Sequence, residues 1–202
     1  MSKRIPGISP SVAQIRKKSY LLGVILTSII LVFTTIAIVI AVNDTPKGYK
    51  TDNNIPIIWC DSAVPVYLDD DISSIQFDLE DILDVYQPYT PNLLFMGIVP
   101  EGTRLPKSIQ VHMMDMPDPD GDEWGAEVTQ WDKNGCVLSS DIYLYPNIQG
   151  YDRYITLCHE IGHSMGLTHS QETWSVMYSP PGSIQCSLTK KEKKILMKLY
   201  GE

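Results

Sequence analysis

Acidic side chains are missing from the first 42 residues, which carry five basic ones (Lys3, Arg4, Arg16, Lys17 and Lys18). Within that stretch residues 20–42 carry no charge of either sign. A buried helix of a soluble protein is rarely apolar on every face for so long. At about 1.5 Å per residue the run reaches about 34 Å, enough to cross a hydrocarbon core of about 30 Å. A cleaved secretory signal is the alternative. Its apolar region is typically about 7–15 residues and ends at a small-x-small site, and no clear Ala-x-Ala follows here. The expectation is one transmembrane signal anchor in contact with the lipid bilayer. Arg16-Lys17-Lys18 immediately before the run then places residues 1–19 in the cytoplasm and exports 43–202. If the segment is cleaved, the remainder is secreted.

Basic residues are scarce in the exported part. It holds 11 of them against 24 acidic ones, a net charge of −13. Nucleic acid is thereby excluded as a partner, because phosphate binding needs a basic stripe. Hydrophobic residues make up 44% of the chain, too many for a disordered one. Internal repeats and low-complexity tracts are absent. No Cys-x-x-Cys pair occurs, which weakens a cysteine-zinc or thioredoxin-like reading. The four cysteines, Cys60, Cys136, Cys158 and Cys186, all lie on the exported side. An even number there suggests two disulfides, with four reduced cysteines as the alternative. Spacing alone leaves three pairings open; Cys136–Cys158 with Cys60–Cys186 is the expectation.

Residues 43–55 are polar and without period, a short stalk, and 56–202 form one α/β (α+β) domain. Residues 57–59, 64–68, 108–113, 125–131 and 141–145 read as extended. Ser73-x-x-Gln76 has the form of a capping box opening a helix with Ile75, Leu79, Ile82, Leu83 and Tyr86 on one face, stopped before Pro88. Asp152 suits the cap of a second helix that ends at Gly166, a natural left-handed stop. Thr189-x-x-Glu192 opens a third, with Ile195, Leu196 and Leu199 on one side.

Histidine is also rare, with four in the chain, and three fall within residues 159–169 (HEIGHSMGLTH). On a helix, positions i and i+4 share a face, so His159 and His163 can offer two imidazoles to one ion. Glu160, one residue on, leans beside that ion rather than ligating it. Gly166 can take positive φ and turn the chain back. His169 then supplies a third ligand. Three protein ligands leave a fourth position open, the arrangement of a catalytic zinc rather than a structural one. His112, the remaining histidine, lies in a strand and reads as structural.

This stretch resembles the long zinc-binding motif of the metzincin metallopeptidases. Ser175-Val176-Met177-Tyr178 resembles the methionine turn that follows it in that class. Ser170 after the third histidine, Tyr178 directly after the methionine, 141–144 (DIYL) and the closing Leu199-Tyr200-Gly201 look most like the matrixins, the matrix-metalloproteinase-like family. The resemblance covers roughly 56–202. It implies a twisted mixed sheet with an active-site helix and a C-terminal helix. It also implies zinc on His159, His163 and His169, and hydrolysis of a protein or peptide substrate by zinc-activated water. Glu160 would be general base and then proton donor, and Met177 the floor of the site. Tyr178 and the segment through Pro180 would wall the pocket for the residue after the scissile bond. Residues 128–131 would form the edge strand that pairs with substrate.

Two departures stand out. No Pro-Arg-Cys-Gly-type segment is present, so latency through a cysteine on the zinc is not expected. In place of a histidine-rich structural-zinc loop stands the acidic stretch 118–123 (DPDGDE). It is either a solvated loop or a Ca2+ site with oxygen ligands at alternate positions. Three functions therefore compete: a membrane-anchored zinc endopeptidase, a catalytically inactive zinc-containing binding module, and a zinc enzyme acting on a non-peptide amide.

Overall fold

A computed structural model describes residues 48–50, 54–115, 125–178 and 185–201. The apolar run 20–42, the acidic stretch 118–123 and Pro180 lie outside the described residues. Among the described residues no helix is long and apolar enough to cross a membrane.

Alternation of inward and outward side chains sets up the sheet. In β1 (Ala63–Asp69) Val64, Val66 and Leu68 point inward and are fully buried. Around it lie β2 (Asn92–Val99), β3 (Ile109–Met113), β4 (Gly125–Trp131) and β5 (Val137–Leu144), in the order β2-β1-β3-β5-β4. The first four in that order run parallel, and β4 closes one edge antiparallel to β5. Three helices follow from the apolar spacing: α1 (Gln76–Tyr86), α2 (Gly150–Ser164) and α3 (Lys190–Tyr200). Leu79, Ile82, Leu83 and Tyr86 of α1 and Leu157 and Ile161 of α2 join the inward sheet residues in one core. Burying each such aliphatic side chain contributes about 1.5–3 kcal/mol, so α2 is fastened to the core by the face opposite its histidines.

Helix starts differ from the expectation at two places. Ser73 does not cap α1. Residues 70–75 form a 3₁₀ turn, and α1 begins at Gln76 with no side-chain cap. Ile72 and Ile75 are both buried, and seating them tightens the turn where the capping box would have stood. Asp152 does not cap α2, which starts two residues earlier, after Gln149. Gly150, at φ +54°, turns the chain into the helix there. Asp152 is left in the first turn, where an acidic side chain complements the helix dipole.

At α3 the box is complete. Thr189 Oγ1 accepts from Glu192 N (3.2 Å), and Glu192 Oε2 accepts from Thr189 N (2.7 Å). Glu192 is buried, and its other oxygen accepts from the Ser175 hydroxyl, which ties the cap to the methionine turn. Thr189→Ala is expected to cost about 1 kcal/mol and lower the melting temperature by about 2–4 °C. A thermal melt that does not move would mean that the Ser175–Glu192 contact alone holds this end.

The disulfides contradict the expected pairing. Cys60 joins Cys136 (Cα–Cα 5.4 Å), and Cys158 joins Cys186 (5.8 Å). Residues 57–59 do run extended, but beside the start of β5. Ile58 N donates to Gly135 O (2.9 Å), and Val137 N donates to Ile58 O (2.8 Å). That ladder brings Cys60 alongside Cys136. Cys158, buried on α2, faces instead the chain that returns past Val176, whose N–H donates to Ser187 O (3.3 Å).

Part of the segment read as stalk is docked. Gly48 bridges Leu167, and Tyr49 N donates to Gly166 O (3.0 Å).

Candidate metal centre and active site

His159 and His163 occupy successive turns of α2, their ring centroids 4.6 Å apart. The helix ends one residue after His163. Its last carbonyls are met by Trp59 Nε1, which donates to Ser164 O (2.8 Å), and by Tyr200 OH, which donates to Met165 O (3.2 Å). Gly166 then takes φ +84°, and Leu167 N donates back to Gly162 O (2.9 Å). A Cβ at Gly166 would be strained at that φ. The reversal carries His169 to ring-centroid distances of 4.9 Å from His163 and 5.3 Å from His159. One nitrogen from each of the three rings lies within 4.8 Å of the others.

The hydrogen bonds behind the rings decide whether this cluster suits a metal. His159 Nδ1 donates to Val176 O (2.6 Å), and His163 Nδ1 donates to Leu167 O (2.9 Å). With Nδ1 carrying the proton, each Nε2 keeps a lone pair directed to the centre, the second-shell arrangement of metal-ligating histidine. His163 Nε2 and His169 Nε2 stand 3.2 Å apart. Burial, with the neighbouring imidazoles adding, pushes the His163 pKa down to about 3, and burial lowers that of His159 as well. The neutral imidazole is the ligating form. Three imidazole nitrogens without sulfur suit zinc.

Met177 lies directly beneath this turn of α2. It is fully buried, and a Cβ at Gly162 would overlap its Sδ. The turn around it is tight: Met177 N donates to Ser175 Oγ (2.9 Å), Tyr178 N to Ser175 O (3.1 Å), and Ser170 N to Met177 O (2.7 Å). Glu160 projects from α2 outside the three-nitrogen cluster and is buried. Gly125, the first residue of β4, passes close by: a Cβ there would lie 3.4 Å from Glu160 Cγ and 2.8 Å from Thr156 Cγ2. A side chain at 125 would press on Thr156 and on the Tyr143 carbonyl (3.1 Å) and come into ordinary contact with Glu160.

A family model of the matrixins matches residues 67–201. The chain belongs to the matrixin family. Its fold and histidine cluster are thus those of a zinc metalloendopeptidase of the metzincin class. No curated protein matches. Among solved structures this matrixin is similar to archaemetzincin from Methanopyrus kandleri at 13% identity. That match covers 69% of this chain and 96% of that one, with a TM-score of 0.49. It is also similar to high choriolytic enzyme 1, a hatching-enzyme zinc-protease of the medaka fish Oryzias latipes. There identity is 9%, coverage is 76% of this chain and 94% of that one, and the TM-score is 0.43.

Tyr178 of this matrixin sits at the end of the methionine turn, bridged to Ser170. The expected edge strand is an edge: among the described residues β4 pairs with β5 and with no other strand, and Val128 and Trp131 are exposed on it. His112 is structural, as read. Its Nδ1 lies 2.7 Å from Asp69 Oδ2 and its Nε2 3.1 Å from Asp141 Oδ1, which links β1, β3 and β5.

Two residues of the site went unread in the sequence. Tyr49 places its hydroxyl 3.2 Å from His163 Nδ1 as a second partner for that nitrogen. Glu127, on β4, helps line a cavity of about 340 Å³ beside His163. Burial pushes its carboxyl up to about 7; the Ser140 hydroxyl opposes this and Asp141 adds to it. A single tyrosine in a polar stretch and a single glutamate in a strand carry no local signal that could have singled them out.

Proposed function

We propose that this matrixin is a membrane-tethered endopeptidase acting outside the cytoplasm. In this reading His159, His163 and His169 hold zinc, and Glu160 is the general base. The observation that supports this best is the convergence of three imidazoles, two anchored through Nδ1 to backbone carbonyls, beside one buried carboxylate on the same helix. Zinc held there supplies Lewis acidity and lowers the pKa of water to about 7. Glu160 takes the proton of the attacking water and returns it to the leaving amine. Met177 supports the histidine-bearing turn from below. The edge of β4 that pairs with no other strand among the described residues offers backbone N–H and C=O groups to an extended substrate, which fixes its register before any side chain is read. Tyr178 and the chain through Pro180 wall the pocket for the residue after the cut. The basic cluster before 20–42 orients the chain with residues 1–19 inside.

The test is the purified full chain in detergent on a mixed peptide library, with and without a zinc chelator. Cleavage that the chelator removes and added zinc restores is expected. Stoichiometric zinc without cleavage would instead make the chain a zinc-containing binding module. On intact cells or spheroplasts, added protease is expected to digest residues 43–202; protection there with an accessible N-terminus would reverse the topology.

A further inference from the structure

We infer that the cavity beside His163 is a subsite for a cationic side chain, Lys or Arg, on the N-terminal side of the scissile bond, with Glu127 as the group that recognises it. This rests on the endopeptidase reading above.

Position comes first. His159 leans on Val176 and so on the turn that carries Tyr178. The cavity lies toward the other end of the cluster, against His163, Ser164 and Gly166, and neither His159 nor Tyr178 lines it. A substrate paired along β4 and crossing the three nitrogens therefore meets the Tyr178 wall on one side of the cut and this cavity on the other. With the residue after the cut at Tyr178, the cavity receives a residue before it.

Chemistry comes second. Ile57, Val128, Trp131 and the ring of Tyr49 give apolar walls, which suit the methylene stem of a long basic side chain. Glu127 is the carboxylate of the lining. Its Oε1 accepts from Ser140 Oγ (2.7 Å), and among the described residues no Lys or Arg forms an ion pair with it. Lys50, which also lines the cavity, donates to Asn54 Oδ1 (2.9 Å). Beyond burial, the charges that act on Glu127 and on the adjoining Tyr49 are acidic: Asp141 acts on the first, and Glu127 and Glu160 on the second. A partly buried carboxylate in such surroundings is costly to ionise without a cation. A substrate ammonium or guanidinium supplies one, with a charge-assisted hydrogen bond. The net charge of −13 over 43–202 favours the approach of cations from a distance.

The test uses the full chain in detergent with zinc and matched peptides that carry Lys or uncharged norleucine at each of the three positions before the cut. The wild type is expected to favour Lys at one position by about tenfold in kcat/KM. Glu127→Gln, which keeps an oxygen to accept from Ser140, is expected to bring that ratio to within about twofold of unity. A second arm measures binding of the same peptides by calorimetry to Glu160→Ala and to Glu160→Ala with Glu127→Gln, so that turnover plays no part. A wild type indifferent to Lys, or a preference that survives Glu127→Gln, overturns the subsite. If no peptide is cut yet Lys peptides bind more tightly and Glu127→Gln removes the difference, the endopeptidase reading fails and the cation site stands. Absence of both cleavage and preference removes both.

Discussion

Glu160→Ala is expected to keep its zinc and to lose peptide cleavage by about 10²–10⁴-fold, the usual contribution of a general acid–base group. The structure separates the two tasks. The three nitrogens that converge belong to His159, His163 and His169, and Glu160 is outside that set. Truncation at Glu160 keeps its main-chain carbonyl, which accepts from Ser164 Oγ (3.1 Å), in the helix. His163→Ala is expected to behave differently. It removes one of three ligands and also the partner of Leu167 O in the helix-ending reversal, so the metal itself should leave. Metal content after gel filtration, measured beside kcat/KM for wild type and both variants, distinguishes these outcomes. Near-normal cleavage by Glu160→Ala would refute the mechanism even with zinc present. Loss of zinc as complete as in His163→Ala would mean that the ligand set is wrong.

What could be read in advance were features decided by near neighbours. The histidine spacing, the left-handed Gly166, the Thr189–Glu192 box and the period of α1 are each fixed within a few residues, and each is found. β2 escaped because both of its faces are apolar: burial alternates along it, with Leu93 inside and Leu94, Met96 and Ile98 exposed, but polarity does not. Ser73 had the right spacing, but burial of Ile72 and Ile75 overrode a local capping preference. Contacts that join distant parts of the chain left no trace at all. Tyr49 reaches His163 across 114 residues, and the acidity of Glu127 is set by its burial rather than by its neighbours in sequence. The disulfide pairing belongs to the same group. Spacing is silent on which cysteines meet, and the ladder between Ile58 and residues 135–137 decides one pair.

The two bridges should therefore separate stability from site integrity. By the loop-entropy relation, sequence separations of 76 and 28 residues correspond to about 4.5 and about 3.6 kcal/mol for Cys60–Cys136 and Cys158–Cys186. Replacing the first pair with serines is thus expected to cost more in a denaturant titration. Its effect on the metal should be small, since it ties the strand at Ile58 to the start of β5 and touches no histidine partner. The second pair closes a short circuit around a ligand. Cys158 precedes His159, Cys186 precedes Ser187, Ser187 O accepts from Val176 N, and Val176 O accepts from His159 Nδ1. Without the bridge the turn that orients His159 loses its covalent tether to the helix. Cys158→Ser with Cys186→Ser is accordingly expected to weaken zinc binding by about 10–100-fold, the range found when a histidine loses its outer partner. Competition with a fluorescent zinc chelator, under conditions where both double variants remain folded, measures this. Should the Cys158–Cys186 variant hold zinc as tightly as wild type, the anchoring of His159 comes from packing of Met177 under Gly162 and not from the bridge. Should the Cys60–Cys136 variant be the one to lose zinc, the docked segment around Tyr49 and Ile57 governs the site more than the methionine turn does.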